Sequence, residues 1–67
     1  MNWDEIVRNI AMGNSDKHWE MVVGVIMSAD DKEYAKLYKV YSDLIAAIDR
    51  WNIKHKGVVD PRFTRSK

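Results

Sequence analysis

The chain contains no cysteine, a single proline, a single phenylalanine and only three glycines among 67 residues. Without cysteine there can be no disulfide framework and no thiolate zinc site. Only His18 and His55 could supply imidazole ligands, and their wide separation without a second ligand pair argues against a structural metal. The glycines stand isolated at positions 13, 24 and 57, so no glycine-rich phosphate loop is present. Long apolar runs are also missing. The longest, Met21 to Met27, falls far short of the roughly 20 residues that span a bilayer. The segment Met1-Asn2-Trp3-Asp4-Glu5 is polar and acidic, unlike a secretory or transit signal. A cytoplasmic location is the expectation, with no membrane partner.

The hydrophobic share is 46% and the charged share 31%, which is normal for a globular chain and excludes disorder throughout. Net charge is +1 but unevenly divided. Residues 1–50 carry six Lys/Arg against nine Asp/Glu, a balance of −3, whereas residues 51–67 carry five basic groups against Asp60, a balance of +4.

The periodicity predicts an all-α fold. A first helix spans about 3–12, with Asn2 as cap, Glu5 in a capping-box position, and Trp3, Ile6, Val7 and Ile10 on one face. Gly13-Asn14 marks its stop. Ser15 suits the cap of a second helix, about 16–27. Apolar residues on most of its sides make that helix a buried one, although its β-branched content leaves a buried strand open at 21–27. After a break at Ser28 to Asp31, a third helix runs from about 31 to 55. Its apolar positions Tyr34, Leu37, Tyr41, Leu44, Ile48 and Trp51 step by 3, 4, 3, 4 and 3, a heptad seam. Residues 1–57 thus form one helical domain, and 58–67 read as a basic C-terminal tail in which Val58, Val59 and Phe63 could dock on the body or on a partner.

The third helix carries the expectation of a partner. About 25 residues make a rod of about 37 Å. A compact globule of this size has a radius of gyration of about 11 Å and a diameter of about 28 Å. The second helix, about 18 Å long, covers half the seam. Tyr41, Leu44, Ile48 and Trp51 are therefore expected at an oligomer interface that completes the helical hairpin or bundle, a homodimer being the simplest closed form. The alternative is a tail that folds back over Trp51.

No constellation reads as catalytic. Asp16, His18 and Glu20 are spaced by two, so they do not face one another on a helix. Asp30, Asp31 and Glu33 lack calcium-loop spacing and suit helix capping. An enzyme is not expected, nor a cofactor. Six Trp and Tyr residues at helical spacing serve foremost as core and interface anchors, with Tyr38 the candidate for an exposed stacking or protein-binding surface. The basic end offers Lys54, Lys56, Arg62 and Arg65 for phosphate or another anion, with Phe63 among them.

In general style the chain resembles the small accessory proteins encoded by phages and mobile elements. The leading expectation is a non-enzymatic helical homo-oligomer that captures or inhibits a macromolecular partner, through its exposed aromatics and tail. Second is sequestration of an anionic planar ligand, such as a nucleotide, at the oligomer interface. Third is weak nucleic-acid binding through the tail.

Overall fold

The computed structural model describes residues 2–56 and 60–65. Their regular structure is all helical, in the order α1 (Trp3–Ala11), α2 (Lys17–Ser28), α3 (Asp31–Lys54) and a short 3-10 turn at Pro61–Phe63. No strand occurs among the described residues, and 21–27 lie within α2.

Each helix begins on a side-chain cap that accepts a backbone N–H otherwise left without a partner. Asn2 Oδ1 accepts from Glu5 N at 3.2 Å, and Asp30 Oδ1 accepts from Glu33 N at 2.8 Å. The cap of α2 is Asp16, accepting from His18 N at 3.1 Å, one residue later than the expected Ser15. The Ser15 hydroxyl is instead buried without a hydrogen-bond partner. At the other end of α1, Gly13 takes a left-handed φ of 76°. That turn lets Asn14 N reach Asn9 O at 2.9 Å and Gly13 N reach Ile10 O at 3.1 Å, a Schellman closure.

The core is contributed by all three helices and the 3-10 turn: Val7 and Ile10 from α1, Val23, Ile26 and Met27 from α2, Leu44, Ile45, Ala47 and Ile48 from α3, and Phe63. Among the described residues no polar residue is buried as a whole with them. α1 packs principally against α3, while the 3-10 turn packs principally against α2. An edge-on pair of Trp3 and Trp19, with centroids 5.3 Å apart, joins α1 to α2 at the core margin.

Three expectations are corrected here. α3 is not one straight rod. Tyr41 leaves helical geometry at φ −116°, ψ 31°, and divides the helix into an arm before it and an arm after it. All four buried residues of α3 follow Tyr41; before it, Tyr34 and Leu37 are half-buried and Val40 is 73% exposed. The radius of gyration is 11.2 Å and the longest dimension 29 Å, so the bent helix fits the globule. Secondly, Leu44 and Ile48 need no second chain to cover them. Both are fully buried by their own chain, with Trp51 and Tyr41 half-buried beside them. The reason is long-range: α1 and Phe63 fill the space that a calculation on α2 alone leaves empty. Nor is α2 a helix buried on all sides, since Met21 and Val25 face outward.

Candidate functional site

The segment Asp60–Arg65 is a strap across the helices. Asp60 starts it, accepting from Arg62 N and Arg62 Nε at 3.0 Å each through one oxygen and from Arg62 Nη2 at 2.9 Å through the other. This fork lowers the Asp60 carboxyl below its ordinary value, chiefly through the side-chain hydrogen bonds from Arg62, and raises Arg62 for the same reason. The guanidinium so oriented donates to two carbonyls at the end of α1, Ile10 O at 2.7 Å and Ala11 O at 3.0 Å. A cation placed there satisfies open acceptors and complements the negative end of the helix dipole.

Phe63 follows, only 2% exposed, with its carbonyl accepting from Asn52 Nδ2 at 3.1 Å and its ring 6.3 Å from Trp51. Arg65 repeats the theme at α2. It donates to Ala29 O at 2.9 Å and lies 3.9 Å above the Tyr34 ring, with Asp31 at 3.4 Å. Its Nε is buried and unpaired.

The expected ligand-binding set is therefore not gathered into one place. Phe63 belongs to the core, and Arg62 and Arg65 are turned inward onto backbone carbonyls. Of the described tail residues, Phe63 packs edge-on to Trp51, the contact the fold-back alternative expected. Tyr38 is half-exposed and lies 6.3 Å from Tyr34, so it shares that ring with Arg65. Lys54 and Lys56 are exposed. Val58, Val59 and the expected helix stop at Gly57 lie outside the described residues.

One open groove joins a predicted residue to others that sequence reasoning missed. It encloses about 420 Å³ between α1 and the second arm of α3. Its apolar wall is Ala47 and Trp51; Arg8, Arg50 and Lys54 stand against Asp4 and Glu5 around it, with Asn2 at the end. Arg50 and Asp4 close a two-pronged pair, Nε to Oδ1 at 3.0 Å and Nη2 to Oδ2 at 3.1 Å, which raises the Arg50 pKa. Arg8 and Lys54 form no ion pair among the described residues. Trp51 is already stacked on His55, at 3.8 Å and 27°. His55 Nδ1 lies 3.0 Å from Trp51 O, which holds the imidazole in place. The missed residues Asp4, Arg8 and Arg50 meet only because α1 packs on α3, and local spacing carries no sign of it.

Among the described residues there is no group of three or more His, Asp or Glu that could hold a metal ion. Among the described residues no helix is long and apolar enough to cross a membrane. No family model, no curated protein and no solved structure matches this chain.

Proposed function

We propose that this is a non-enzymatic binding protein, a helical homo-oligomer of the cytoplasm that captures or inhibits a macromolecular partner. The observation that carries the reading is the groove between α1 and α3. It is open to solvent, has an apolar wall, and holds two cations with no ion pair among the described residues, Arg8 and Lys54. Such a lining suits a chain segment that brings one or two acidic side chains beside an apolar one. It suits a planar nucleotide less well. One face of Trp51 is covered by His55, and Arg62 and Arg65 are engaged with backbone carbonyls, which leaves Arg8 and Lys54 as the cations of the groove that a phosphate could meet. The same engagement weakens the nucleic-acid reading, which would rest on Lys54 and Lys56 alone among the described basic residues of that end.

The test is affinity capture from lysate with the wild-type chain and with Arg8→Glu/Lys54→Glu, both first shown to keep the same helical circular dichroism. A protein retained by the wild type and released by the double variant is the expected result. Capture indifferent to the reversal would remove the groove from the reading. A rise in melting temperature with micromolar nucleotide, lost in the double variant, would favour ligand sequestration instead.

A further inference from the structure

We propose that the outer face of α2 is a self-association surface that takes α2 of a second copy in antiparallel, two-fold fashion. The inference deepens the oligomeric half of the proposed function and is independent of the groove.

Gly24 is the starting point. It sits in the middle of a helix, where glycine is unfavourable relative to alanine. A methyl group built there meets nothing within 4 Å, so no helix of the same chain requires the position to be bare. A glycine without an internal reason is explained by close approach from outside. Around it the face is apolar: Met21 is 70% exposed and Val25 is 56% exposed. Ser28 continues the strip one turn on. Its hydroxyl donates to Gly24 O at 2.8 Å, so its proton is satisfied within the helix. Beside Gly24 opens a notch of about 130 Å³, floored by Ile10 and Val23 and edged by Glu20 and Arg62. One flexible side chain such as methionine fits a recess of that kind.

The face thus carries both a projection, Met21, and a recess at Gly24, three residues apart. An antiparallel pair about an axis between them seats each Met21 against the Gly24 of the other copy. A two-fold interface requires such self-complementarity.

Charge selects the second copy and its direction. Lys17, in the first turn of α2, opposes the dipole of its own helix and makes no ion pair among the described residues. The last turn of α2 has no basic residue, and Asp30 follows it, while Asp31 beside it is engaged by Arg65. From the axis, Lys17 lies about 8 Å along the helix and Ser28 about 8 Å in the opposite sense, at 1.5 Å per residue, with the extended pair Ala29-Asp30 leaving the helix after it. The antiparallel pair sets each Lys17 opposite Ser28 of the other copy, at the end of α2 that Asp30 follows, twice over. A parallel pair would set Lys17 against Lys17.

Light scattering coupled to size exclusion tests this with the full chain. At a few hundred micromolar the wild type should show twice the 7.9 kDa chain mass. Val25→Glu and Gly24→Leu, with helical content unchanged, should each return it to one chain. Lys17→Glu should weaken the dimer about tenfold at low salt and little at high salt. Val40→Glu/Ile53→Glu, on exposed positions of α3, and the groove double variant should leave the mass unchanged. A monomeric wild type at that concentration overturns the proposal. So does a dimer that survives both α2 substitutions or is broken only by those on α3.

Discussion

Arg62 reaches across 52 positions of sequence to place its guanidinium 2.7 Å from the carbonyl oxygen of Ile10. The contact turns what composition presents as a loose basic tail into a fastening for the end of α1. Arg62→Met should therefore destabilise the fold although the side chain is nearly half-exposed. Charged hydrogen bonds of this kind contribute about 1.5–3 kcal/mol, and partial solvent screening brings the expectation to about 1–2 kcal/mol. Urea denaturation at neutral pH measures it, and a variant within 0.3 kcal/mol of wild type would deny the strap its role.

The Asp60–Arg62 fork also predicts an acid dependence. The Asp60 carboxyl titrates below its unfolded value because Arg62 favours the ionised form. The unfolded state then binds the proton more readily, so this contribution is complete above about pH 5 and is lost as pH falls through the lowered value. Melting temperature against pH should show a smaller loss between about pH 5 and pH 2 in Asp60→Asn than in the wild type. Equal losses would mean that the fork is absent in solution.

Phe63 is the more severe case. It lies among Leu44, Ile48 and the other apolar side chains of the core. Truncation of a buried Phe to Ala costs about 3–5 kcal/mol. A domain of this size has about 3–10 kcal/mol of total stability. Phe63→Ala should leave a substantially unfolded population at 37 °C, read by far-ultraviolet circular dichroism, and a chain cut after position 57 should lose cooperative melting altogether. A truncated chain that still melts cooperatively would show that the helices suffice without the strap.

Gly24→Ala should do the opposite in a dilute, monomeric sample. The position is exposed and has free space for the methyl group. The gain in helix preference is about 1 kcal/mol, or about 4–8 °C in a domain this small. No gain would mean that α2 is distorted at that point.

Arg65→Lys keeps the charge but gives up the planar stack on Tyr34. An ammonium cannot reproduce both that stack and the donation to Ala29 O. A loss of about 1 kcal/mol is expected, with faster amide exchange concentrated at the end of α2. Exchange unchanged at Ala29 and its neighbours would show that Tyr34 and Ala29 do not hold Arg65.

These contrasts show which parts of the molecule were legible in the chain. Local signals read well. Asn2 and Asp30 as caps, Gly13 as a stop, and the faces of α1 and α3 follow from spacing over a few residues. Long-range pairings did not. Asp4 and Arg50 are 46 positions apart, and Arg65 and Ala29 are 36 apart, so nothing in their neighbourhoods announces them. The basic end was read as free charge because its carbonyl partners are backbone groups that every residue carries. The bend at Tyr41 has neither proline nor glycine beside it, so the heptad runs through it on paper although the helix does not.

The strap has a kinetic consequence. Helical proteins fold fast when their contacts are near in sequence, and consecutive helices here, α1 with α2 and α2 with α3, can meet across short turns. The Ile10–Arg62 contact must instead close a loop of about fifty residues, whose entropic cost is incurred before any reward arrives. Strap contacts should therefore form after the rate-limiting step, and substitutions at Arg62 and Arg65 should accelerate unfolding while leaving the folding limb of the chevron almost in place. Asp60–Arg65 would then act as a latch, doing little to start the fold and much to set how long the helices stay together.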